Sequence, residues 1–127
     1  MKTSESNPAD WYRLAEDRLS AADAIYAQSG MTYAGIELLH EAFERYLKGY
    51  LISMGWTLRR THDLSDLLSA AVQFDPAFSA YAGIADNLTD QFWAQHYPGG
   101  DLSEVGTDYP EVRDGVGKLV ELIAGRH

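Results

Sequence analysis

Lys48, Arg59, Arg60, His62 and Asp63 are the residues of this chain best placed to do chemistry together. Lys48 falls within the last two turns of one predicted helix, and the others occupy the link that leads into the next. Arg59-Arg60 is the only adjacent pair of bases in the sequence. If Asp63 starts a helix, the free backbone N–H groups beside it favour an anion. The Asp63 carboxylate can itself cap that helix and offset the dipole. Two readings fit these residues. In one, the cluster holds an anionic ligand, with His62 and Lys48 adding charge-assisted hydrogen bonds. In the other, Arg59 and Arg60 are simply solvated, Glu44 one turn away neutralises Lys48, and His62-Asp63 only begins a helix.

Other patterns carry less. Glu37-x-x-His40 has the spacing of a di-iron half-site, but such sites need a second copy and two further Glu, and no second copy exists here. His40-Glu41-Ala42-Phe43-Glu44 lacks the second His of a zinc-protease helix. These residues are expected to be a solvated polar face, with no metal and no cofactor. There is no Gly-x-Ser-x-Gly and no Gly-rich phosphate loop. The absence of Cys excludes disulfides, thiolate metal sites and cysteine nucleophiles.

The elements that must position the cluster are helical throughout. Apolar spacing predicts five helices near 8–29, 32–54, 64–74, 76–93 and 109–124. Asn7-Pro8 reads as an N-cap and first helical residue, and Gly30 as a stop. Leu39, Phe43, Tyr46, Leu47, Tyr50, Leu51 and Met54 form the wide apolar face of the second helix, ended by Gly55. Glu41–Arg45 and Glu44–Lys48 are i,i+4 pairs in the favourable order. Asp75-Pro76 starts the fourth helix, and Asp108 with Glu111 fits a capping box for the fifth. Residues 97–106 contain Pro98-Gly99-Gly100 and read as a surface loop. The fold class is therefore all-α, an up-and-down bundle in one domain over 8–125, preceded by a short polar segment, 1–7.

Composition bounds the partners. The 127 residues carry 10 Lys plus Arg against 19 Asp plus Glu, a net charge of −9. Residues 1–62 hold 8 acids and 7 bases, whereas 63–127 hold 11 acids and only Arg113, Lys118 and Arg126. Duplex nucleic acid and anionic membranes need a positive footprint that this chain lacks. A small anion is repelled least in the first half. The polar start and the lack of a long apolar run predict a cytoplasmic protein without an export signal. With 8 Tyr and 3 Trp, the chain has more aromatic surface than one small core can hold. Those rings either serve a dimer interface, near the second helix or 93–97, or snorkel at the surface.

At His40-Glu41-Ala42-Phe43-Glu44-Arg45-Tyr46-Leu47-Lys48-Gly49-Tyr50-Leu51, then Gly55, then Thr61-His62-Asp63-Leu64 and Leu67-Leu68, the chain resembles the HEPN family (higher eukaryotes and prokaryotes nucleotide-binding). The upstream Trp11…Ala15…Ala22 helix fits the family's first helix, and the resemblance spans roughly residues 9–125. It implies a helical bundle that commonly forms homodimers, and a nucleotide or RNA connection. Glu44, Lys48, His62 and Asp63 match its second- and third-helix motifs, and Tyr97-Pro98 its loop motif. His96 stands where many members have Arg. Ribonuclease members carry an Arg followed, four to six residues later, by a His; none of the seven Arg here is followed by a His at that distance. The resemblance, taken together with the basic cluster read from the residues themselves, points to a non-catalytic module expected to hold a nucleotide or another anion through Lys48, Arg59, Arg60, His62, Asp63, His96 and Tyr97, as a homodimer. The alternatives are a regulatory, antitoxin-type partner of a minimal nucleotidyltransferase and, less favoured, a ribonuclease toxin.

Overall fold

Asn7 accepts a hydrogen bond from the Ala9 N–H, and Pro8 follows it at the first helical position, where a missing N–H costs nothing. The helix begun there, α1, runs Pro8–Ser29 in the computed structural model, which describes residues 4–96 and 108–125. Gly30 ends it with φ 72°, a left-handed backbone that a β-carbon would strain. Thr32 caps the next helix, α2 (Tyr33–Ser53), accepting from the Gly35 N–H at 3.0 Å. Gly55, φ 86°, turns the chain out of it. Asp63 starts α3 (Leu64–Phe74), its carboxylate accepting from Ser65 and Asp66 N–H.

The fourth helix differs from the reading of its pattern. Instead of one helix over 76–93, a 3-10 helix, Pro76–Tyr81, leads into α4, Ala82–His96. The Phe78 N–H bonds to the Asp75 carbonyl three residues back, at 3.1 Å. This tighter winding is common at helix starts, and Phe78 is fully buried against Tyr50, ring centroids 4.5 Å apart. The last helix, α5, spans Tyr109–Ala124 and is capped by Asp108, which accepts from Glu111 N–H. The expected loop over 97–106 lies outside the described residues.

The centre of the bundle is α2. It packs most extensively on α1 and also touches α3, α4 and α5. Leu39, Phe43, Leu47 and Leu51 are fully buried, as its apolar spacing predicts, but Met54 is exposed at the helix end. Close approach of α1 needs Gly49, because a β-carbon there would stand 2.5 Å from the Tyr12 ring. The far end is held by α5, where Tyr109 stacks on Tyr26 at 4.2 Å and Arg113 makes a two-bond contact to Asp23. Leu14 on α1 is exposed. Residues 4–7 fold back on the bundle: Ser4 N–H donates to Asp10, and the Trp11 indole N–H to the Glu5 carbonyl.

Candidate functional site

Glu44 and Lys48 lie one turn apart on the face of α2 that α1 and the 55–63 link cover. Lys48 Nζ sits 3.0 Å from Glu44 Oε2, with side-chain exposures of 5% and 4%. A pair buried this deeply requires its remaining hydrogen-bonding capacity to be met. The link supplies that: His62 Nδ1 stands 3.0 Å from both Glu44 carboxylate oxygens. As the ion-pair partner of Lys48, the carboxylate accepts, so Nδ1 carries the proton and donates. Nε2 is left as the other working atom of a ring that is 77% exposed. Lys48 Nζ also lies 5.5 Å from the Trp11 ring centroid, within cation–π range.

Around this pair a cleft of about 240 Å³ opens, walled by Trp11 and Leu58 and rimmed by Arg59, Arg60 and His62. Arg60 is bonded to the Glu5 carboxylate at 2.9 and 3.2 Å, an exposed contact. Arg59 makes no ion pair among the described residues and opens onto the cleft. A second cleft, also about 240 Å³, lies on the other side of the His62–Glu44 contact and shares Glu44, Arg45 and His62 with the first. Its own residues are Glu37, His40, Glu41 and Phe92. His40 is buried and stacks on Phe92, centroids 4.7 Å apart, while Glu41 pairs with Arg45 at 3.4 Å. Among the described residues no three His, Asp or Glu gather closely enough to hold a metal ion.

Of the residues singled out in the sequence, Lys48, Arg59, Arg60 and His62 come to one cleft. Asp63 does not line it; its carboxylate is spent on the first N–H groups of α3. His96 ends α4, its side chain lying outside the described residues, as does Tyr97 altogether. Three participants were missed: Trp11, named only as part of the first helix; Arg45, read only as the i,i+4 partner of Glu41; and Glu5. Nothing in spacing signals a Glu5–Arg60 contact across 55 residues. Among the described residues no helix is long and apolar enough to cross a membrane. No curated protein and no solved structure matches the chain. A family model, the HEPN domain, matches residues 8–123, nearly the whole length, and takes in α1 through α5, the buried Glu44–Lys48 pair and His62; the chain belongs to the HEPN family.

Proposed function

We propose that this protein is a non-catalytic HEPN module that holds a nucleotide or another phosphate-bearing ligand in the cleft between Trp11, Lys48 and the Arg59-Arg60 link, and that it works as a homodimer. One observation carries the reading. In a chain of net charge −9, Arg59 stands without an ion pair among the described residues, on a cleft also rimmed by Arg60 and His62. A guanidinium in that position takes phosphate oxygens through parallel N–H bonds. Trp11 provides a flat apolar wall.

No Arg is followed by a His four to six residues later, which argues against RNA cleavage. The His62 Nδ1 proton is engaged by Glu44, which suits a fixed binding group. Support for a dimer comes from Trp93, 52% exposed beside Phe92, because exposed aromatic rings are enriched at interfaces.

Calorimetric titration of the purified protein with ATP and GTP tests the binding reading. Saturable binding at one site per chain is expected. Absence of any heat at millimolar nucleotide would overturn it and turn attention to a protein partner.

A further inference from the structure

His62 carries a nitrogen that the link does not need. Its Nδ1 stands 3.0 Å from both oxygens of the Glu44 carboxylate, a side chain only 4% exposed. That contact makes Nδ1 the donor, so the neutral ring has its lone pair on Nε2. Nε2 makes no hydrogen bond among the described residues, and the ring lies open to solvent. A structural pin requires only a donor to Glu44 and gives no use to the second nitrogen. An imidazole fixed by a buried carboxylate at one nitrogen and open at the other has the build of a working nucleophile. His40 is built otherwise: it is buried and stacked on Phe92.

The neighbours of the ring decide what Nε2 would attack. Among the described residues no group of His, Asp or Glu is gathered to hold a metal ion, so Nε2 has no fellow ligands. The rim beside it is cationic. Arg59 has no ion pair among the described residues, and Arg60 is bound by the exposed Glu5. Guanidinium groups so placed stabilise the oxygens of a phosphoryl group in transfer.

We propose that His62 is a phosphoryl-acceptor site: its Nε2 takes a phosphoryl group from a small phosphorylated donor, Glu44 orients the ring, and Arg59 with Arg60 holds the transferred oxygens. With phosphoramidate as donor, the Nε2 lone pair forms the new N–P bond while the donor's own P–N bond breaks. The amine leaves with that electron pair as ammonia. Nδ1 keeps its proton, the ring gains one positive charge, and the Glu44 carboxylate faces it across the Nδ1–H. A phosphoryl group there fills the rim an anionic ligand would use, so modification closes the cleft. The part of the arginines rests on the phosphate reading of the basic cleft; the nucleophile rests on the His62–Glu44 contact alone.

Phosphoramidate is added to the full chain together with N-acetylhistidine as internal standard. Intact mass follows the reaction, peptide mapping places it, and phosphorus NMR assigns the ring nitrogen. His62 should react at Nε2 and at least about tenfold faster than the standard, the low end of what a carboxylate partner contributes to a working imidazole. Glu44→Gln keeps an acceptor for the Nδ1–H but loses the charge, and should bring the rate down to that of the standard. Arg59→Ala, Arg60→Ala should slow it several-fold. Reaction of parent His62 no faster than the standard, or at Nδ1, would overturn the proposal, and the parent rate decides the matter even if Glu44→Gln fails to fold. Nucleotide binding by a parent whose His62 reacts no faster than the standard would sink the acceptor site alone. Fast reaction of His62 in a parent that binds no nucleotide would uphold the acceptor site and sink the nucleotide reading.

Discussion

The exposed His62 ring closes on the buried Glu44 carboxylate, its Nδ1 3.0 Å from both oxygens, one of which, Oε2, also takes Lys48 Nζ at 3.0 Å. A residue of the link and two residues of α2 are thus one unit, and the link is positioned by an ion pair inside the bundle. Removing a single partner leaves a buried charge alone. Lys48→Ala should therefore cost about 3–5 kcal/mol of stability in urea denaturation. The double variant Glu44→Leu, Lys48→Met, which removes both charges and keeps the volume, should recover most of that loss. Equal losses for the single and double variants would contradict a charge-pair role.

Glu5 occupies Arg60 with a carboxylate, as a ligand phosphate would. Glu5→Gln should strengthen nucleotide binding several-fold, because the competing charge is removed. Melting temperature should hardly change, since Arg60 is 80% exposed and exposed ion pairs add little. Weaker binding in this variant would show that Glu5 supports the site instead of competing for it.

Gly49→Ala should destabilise the protein although alanine is the better helix former. The new β-carbon would meet Tyr12 ring atoms at 2.5 and 2.7 Å, forcing α1 and α2 apart. The expected loss is about 1–3 kcal/mol, typical of overpacking, read from the denaturation midpoint. Gly83→Ala, whose β-carbon would meet nothing within 4 Å, is the control.

Alkaline pH should unfold the bundle by way of its tyrosines. Burial pushes Tyr12, Tyr46 and Tyr109 up from 10.0 to about 12. The unfolded chain releases these protons near pH 10, while the folded chain keeps them to about 12. The folded state thus binds more protons in that window, and stability must fall as pH rises through it. Below pH 10 this contribution is fully present. Tyrosinate absorbance and helical circular dichroism followed together should show late ionisation coinciding with loss of helix. Ionisation near pH 10 with the helices intact would reject buried hydroxyls.

Helix ends were legible where they are written in local chemistry. Asn7-Pro8, Asp63 and Asp108 each cap the helix they were expected to start, because a cap involves only residues two or three positions away. The 3-10 start at Pro76 was not legible, since i→i+3 and i→i+4 winding leave nearly the same apolar pattern over six residues. The Glu44–Lys48 spacing showed that the two could pair. It could not show that the pair is buried, because that depends on Trp11 and the link lying over it. The contacts of His62 with Glu44 and of Arg60 with Glu5 join residues 18 and 55 positions apart. Such pairings are made by packing alone and leave no periodic trace.

Nucleotide affinity at the Arg59-Arg60 rim tests the central claim most directly. Lys48 is a poor site for that test because its loss disturbs the core, whereas both arginines are exposed. GTP titrated calorimetrically into the parent and into an Arg59→Ala, Arg60→Ala variant of matching helical content gives the answer. Loss of two charge-assisted hydrogen bonds should weaken binding by about 2 kcal/mol or more, roughly thirtyfold. Unchanged affinity in the variant, or no binding by the parent, would contradict a phosphate site in this cleft.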